Sequence, residues 1–211
     1  MLFFYMNTFK ECLKIEKDNQ SKANHFIYDL YKVSSFKRWD WDKPHGRIMQ
    51  RKGIDVSVNY SGFKDSCIHI SEKFRQADMG DMLIEIISVW NGQQFGAIQG
   101  WGLKDDADLI HYYTPFKTYV VNNKQLAVIA NKIYRQMFSL TTHKDLRDFF
   151  EDDKQTKAFT YITILDKRYD IEILKIPTYV GEDRYYGICA AVTWRDLKEM
   201  GVDVIKYDSI Y

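Results

Sequence analysis

The chain lacks most of what would mark it as anything other than a folded globular protein. It has 3 prolines and 11 glycines in 211 residues, too few for a collagen-like, linker-rich or low-complexity polypeptide. Its 3 cysteines, Cys12, Cys67 and Cys189, are odd in number and far apart, with no CxxC pair. That excludes a disulfide framework and a zinc ribbon. The 5 histidines show neither HxxxH nor HExxH spacing, so a zincin-type metal site is excluded. No apolar run approaches the ~18 residues of a membrane span. The N-terminal MLFFYM is too short for a secretory core and is soon followed by Lys10 and Glu11. Charge of one sign is also missing, because 30 Lys and Arg stand against 29 Asp and Glu, for a net +1. A uniformly basic nucleic-acid binder is thereby excluded, and any contact with nucleic acid must use a local patch. These absences lead us to expect a reduced, soluble, cytoplasmic protein with no membrane partner.

What is present argues for a packed core. Apolar residues make up 45% and aromatics 16% of the chain, which rules out disorder as its main state. The length suits a single domain over 1–211, able to bury roughly 70% of its unfolded surface, with 144–211 as a C-terminal extension of that domain. The pattern predicts a helix over 8–32, a polar, turn-rich and cationic stretch over 34–53, then alternating strands over 53–60 and 67–75. The segment MLIEIISVW (82–90) is nearly all apolar and reads as a central strand covered on both faces. Shorter strands follow around 94–101, 107–113 and 117–121. An amphipathic helix over 124–138 carries Leu126, Ile129, Ile133 and Met137 on one stripe. Strands at 158–165, 169–176 and 187–192 precede a short helix that starts at Thr193 or Trp194 and ends at Gly201. The fold class is α/β or α+β, a central mixed sheet flanked by helices.

Chemistry concentrates between residues 50 and 90. Glu85 is a lone carboxylate inside an apolar strand, and a buried charge is costly unless paired or bound to metal. Asp55 lies on the polar face of one strand and Lys73 on that of the next. If the three strands are neighbours, Asp55, Lys73 and Glu85 converge. Two carboxylates and a lysine suit phosphodiester hydrolysis, with oxygen ligands for a hard divalent cation and an ammonium for the developing charge. The alternative is that Glu85 belongs to a structural ion pair.

The segments QRKGIDVSV (50–58), HISEKFR (69–75) and GDMLIEIISVW (80–90), and more loosely GWG (100–102) with ADLIHY (107–112), resemble the PD-(D/E)XK, or restriction-endonuclease-like, nuclease superfamily, in the manner of small phage or mobile-element members. The resemblance implies a restriction-endonuclease-like core and a metal-dependent deoxyribonuclease using Mg²⁺ or Mn²⁺. Its catalytic residues would be Asp55, Lys73, Glu85 and Glu72, and its metal ligands Asp55, Glu85, Glu72 and, from the first helix, Glu16. One slot departs from the motif: Ser71 stands two residues before Lys73, where the superfamily has an acid. Either a bulge turns Glu72 inward, or Glu85 supplies the missing carboxylate, or the fold is an inactive binding module. We favour Glu85, with Glu72 offering its backbone carbonyl.

Nucleic acid would enter over residues 32–52, where seven cations face two acids. Lys37, Arg38, Arg47, Arg51 and Lys52, with Arg75 beyond the lysine strand, are the expected phosphate contacts. Phe36, Trp39 and Trp41 are available to stack on bases or to fill the core. DNA is the expected partner, with a homodimer or a protein partner left open. The acidic run over 145–153 reads as a solvated loop.

Overall fold

The computed structural model describes residues 9–33, 35–59, 67–90, 98–104, 106–139, 149–150, 152, 154–180 and 183–211. Its elements are α1 (Phe9–Tyr31), β1 (Lys37–Arg38), α2 (Pro44–Arg51), β2 (Val56–Asn59), β3 (Cys67–Phe74), β4 (Asp81–Trp90), β5 (Ile98–Gln99), α3 (Trp101–Lys104), β6 (Leu109–Tyr113), β7 (Lys117–Asn122), α4 (Asn123–Met137), β8 (Lys157–Ile164), β9 (Lys167–Val180), β10 (Asp183–Thr193), α5 (Trp194–Glu199) and β11 (Val204–Asp208). The fold is mixed α+β with two sheets rather than one central sheet: a six-stranded sheet of order β1-β2-β3-β6-β7-β11 and a five-stranded sheet of order β5-β4-β10-β9-β8.

The chain divides into two compact units that interleave in sequence. One comprises Asn7–Met79, Asp105–Lys124 and Asp203–Tyr211, and the other includes Gly80–Lys104 and Gln125–Val202. In the first unit, β3 and β6 are parallel and every other pairing is antiparallel. Helix α1 buries Ala23, Ile27 and Tyr31, a stripe at four-residue spacing. Ile27, Tyr31, Val33, Val56, Val58 and Ile70 form one core cluster. Lys32 stops the helix in a left-handed conformation, φ 52°, the role glycine usually fills. Helix α2 lies inside the stretch over 34–53 whose composition predicts turns. It lacks an apolar stripe, but Pro44 stands at its start and Gly53 follows it at φ 76°, an arrangement that favours a helix between them.

The second unit is a run of long antiparallel strands. β8 and β9 meet through Leu165 and Asp166, both at positive φ, a two-residue turn whose twist matches the strands it joins. Helix α4 buries Leu126, Ile129, Ile133 and Met137 as the periodicity predicts. Helix α5 is capped by Thr193, whose Oγ1 accepts from Asp196 N at 3.1 Å. Strand β11 was not read from the sequence. Most of the acidic run at 145–153 and the leading MLFFYM lie outside the described residues. Among the described residues, no helix is long and apolar enough to cross a membrane.

Candidate active site

β2 and β3 form the antiparallel hairpin that carries the predicted motif. Their register pairs Val56 with Ile70, so Asp55, one residue ahead, stands across from Ser71. Asp55 N donates to Ile70 O at 2.9 Å, and Asp55 Oδ2 accepts from the backbone N–H of Glu72 at 2.7 Å. The carboxylate thus substitutes for a ladder carbonyl where the hairpin opens. Ser71 and Lys73 share one face of β3, and Ile70, Glu72 and Phe74 share the other.

Glu72 is not turned toward Asp55 by a bulge. Its side chain is buried among the elements around β3, 2% exposed, in an ion pair with Arg38. Arg38 Nη1 donates to Oε2 and Nη2 to Oε1, the latter at 3.3 Å. Asn24 of α1 braces the guanidinium, its Oδ1 accepting from Arg38 Nη2 at 2.7 Å and Nε at 3.1 Å. On the other side Tyr113 OH donates to Glu72 Oε1 at 3.1 Å. Tyr113 has one hydroxyl proton, so its contact with His111 at 3.1 Å must be donated by Nδ1–H. His111 Nε2 then accepts from Tyr31 OH at 2.8 Å. A directed chain runs Tyr31, His111, Tyr113, Glu72, with Arg38 closing its anionic end. Burial, helped by the Arg38 charge, holds His111 neutral, its pKa lowered to about 3.

Glu16, from α1, stands in the field of this cluster. Burial first, then the like charges of Asp55 and Glu72, push its carboxyl above the usual range, while Arg38 and Lys73 pull it back. Burial also pushes Glu72 up, against the opposing charge and hydrogen bonds of Arg38. Glu16 therefore feels the charges of two other carboxylates and two cations at once. Ser71 Oγ is fully buried and has no hydrogen-bond partner among the described residues.

Glu85 is not carried by a strand next to β3. It lies on β4, in the five-stranded sheet, opposite Cys189 of β10, and β4 is not a neighbour of β2 or β3. Its residue is half-buried rather than enclosed, so the buried-charge argument that favoured it loses its premise. Glu85 backs onto Gly100 instead, where an added Cβ would lie 2.9 Å from Glu85 Cγ.

The expected phosphate contacts also divide. Arg38 faces inward and is neutralised by Glu72. Lys52 pairs with Asp106 at 3.7 Å. Arg75 is half-buried, with Nη1 donating to Tyr112 OH and its guanidinium 5.8 Å from that ring. Lys37, Arg47 and Arg51 are exposed. Sequence reasoning missed Asn24, Tyr31, His111 and Tyr113, because their contacts bring together α1 and β6, far apart in the chain, and no local spacing signals them.

Among the described residues no three His, Cys, Asp or Glu side chains group as a ready metal cage. With Glu72 engaged by Arg38, the acids left for a cation are Asp55 and Glu16. That fits Mg²⁺ or Mn²⁺ in one respect, since such ions are commonly held by one or two carboxylates together with water and substrate phosphate. The orphaned Ser71 hydroxyl beside Asp55 is a further polar group without a partner of its own. No family model, no curated protein and no solved structure significantly matches the chain.

Proposed function

We propose that the chain is a metal-dependent nuclease that hydrolyses DNA phosphodiesters, with a restriction-endonuclease-like hairpin at β2 and β3. The observation that carries this is Asp55 at the open end of that hairpin, fixed by the Glu72 backbone, with Glu16 within the field of both Asp55 and Lys73. Asp55 and Glu16 would hold the Mg²⁺ or Mn²⁺. When bound, that ion supplies charge stabilisation at the phosphate and a more acidic water. The Glu72 N–H orients the Asp55 carboxylate, so its second oxygen is presented in a defined direction. Lys73 offsets the phosphate charge and that of the five-coordinate transition state. The buried chain of Tyr31, His111, Tyr113 and Arg38 fixes Glu72, and through its backbone Asp55, against displacement by water.

The test is cleavage of supercoiled, linear and single-stranded DNA with Mg²⁺ or Mn²⁺, comparing the wild type with Asp55→Ala, Lys73→Ala and Glu85→Gln. The first two substitutions should reduce the rate at least a hundredfold, and Glu85→Gln should leave it within about threefold. Cleavage surviving both Asp55→Ala and Lys73→Ala in folded protein would overturn the assignment. A second reading, a nuclease-like binding module without turnover, is favoured by one observation: Ser71 occupies the acid slot while Glu72 is committed to Arg38 and Tyr113. Cleavage of none of the substrates would select it.

A further inference from the structure

The segment between β1 and α2 is fastened at successive points. Gln50 Nε2 donates to Trp39 O at 2.8 Å, and Arg47 Nε donates to Trp41 O at 2.9 Å. Gly46 lets α2 approach so closely that a Cβ there would lie 1.7 Å from Asp40 O. The loop between them has little freedom left to lose, yet it holds the Trp41 residue 50% exposed.

The two tryptophans of this segment differ in what they have left to offer. Trp39 gives its indole N–H to Ser57 Oγ at 2.7 Å, and the Lys37 ammonium covers its ring at 3.9 Å. Trp41 has no ring contact among the described residues, and the exposed acids Asp40 and Asp42 adjoin it in sequence. Beyond them Lys43 and Arg47 are exposed and without an acidic partner among the described residues, Arg47 keeping Nη1 free of the backbone carbonyls that its Nε and Nη2 bind. An open aromatic face on a stiff loop, with two cations close by in sequence, matches the chemistry of an unstacked base and its phosphate. A base inside a duplex is already stacked on both sides, so a duplex can offer this loop only its backbone. The loop is also tied to the motif, because Trp39 N donates to Asp55 O at 2.9 Å.

We infer that Trp41 is a stacking platform that selects single-stranded over duplex DNA, with Lys43 and Arg47 holding the adjoining phosphates. This rests on the nucleic-acid side of the function proposed above and names its substrate class. The test is binding without divalent metal, by fluorescence anisotropy, of a labelled oligothymidylate of about 15 nucleotides and of a duplex of the same length, a span that one aromatic binding surface can cover. The full-length wild type should bind the single strand at least about tenfold more tightly than the duplex. Trp41→Ala should weaken single-strand binding about tenfold or more, leave duplex binding within about twofold, and be largely rescued by Trp41→Phe. Equal affinity for the two forms, or an unchanged Trp41→Ala, would overturn the inference. So would binding to neither, which would make Trp41 a protein-contact residue instead. Cleavage without Trp41-dependent binding overturns this inference alone, whereas Trp41-dependent binding without any cleavage overturns the nuclease reading alone.

Discussion

Arg38 and Glu72 show how a residue's chemistry can be right for one role and its surroundings assign it another. Arg38 sits in a cationic stretch and invites a phosphate contact, yet it is turned inward onto Glu72. Because burial leaves the Glu72 carboxyl above its ordinary pKa, its ionised form is less comfortable in the fold than in the unfolded chain. The pair thus stabilises position more than the fold. Removing one partner, in Glu72→Met or Arg38→Met, should cost about 3–5 kcal/mol in urea unfolding, since an unpaired charge stays buried. The double substitution should recover most of that loss. His111 makes a separate prediction. Its pKa falls from 6.5 unfolded to about 3 folded, so the stability it contributes is complete above pH 6.5 and is lost as pH drops toward 3. The expected slope is about 1.4 kcal/mol per pH unit at most. His111→Gln, which can still bond on both sides, should flatten the unfolding free energy between pH 6.5 and 4.5 by that amount.

At the scale of elements, α2 depends on Gly46. Gly46→Ala would press a methyl group into the Asp40 carbonyl, a backbone contact that no rotamer change can relieve. It should destabilise the protein by about 1–3 kcal/mol, as overpacking does, and free the 39–43 loop, read as faster hydrogen exchange at Lys43 N. The helices and strands with strong periodicity were legible in the sequence, as α4 shows with its stripe of Leu126, Ile129, Ile133 and Met137. Helix α2 was not, because its faces are mostly solvated and only Pro44 and Gly53 frame it. Asp55 and Lys73 were placed on neighbouring strands by alternation alone, and β2 and β3 do pair. The sheet membership of β4 was beyond reach, because an apolar strand advertises burial without naming its neighbour. β4 was expected beside β3 for that reason, while the Arg38–Glu72 pair went unseen because it joins residues 34 apart.

Across the whole molecule, a net charge of only +1 means that no long-range field gathers a polyanion, so attraction must come from a few cations near the contact. Lys37, Lys43, Arg47 and Arg51 set the upper limit. The affinity for single-stranded DNA should fall with salt along a log–log slope no steeper than about −3, the value for four neutralised phosphates on a single strand. A much steeper slope would mean a wider footprint than the β1–α2 segment. The same architecture governs how the protein comes into being. β6 must find β3 across the intervening segment that builds part of the other sheet, and β7 lacks its outer partner until β11, made more than eighty residues later, arrives. During synthesis the outer edge of β7 therefore stays open until β11 is made. A chain cut short before Val204 would keep β7 paired with β6 but leave its outer edge open, ready to join a neighbouring copy, and Val204–Asp208 is the segment that closes it.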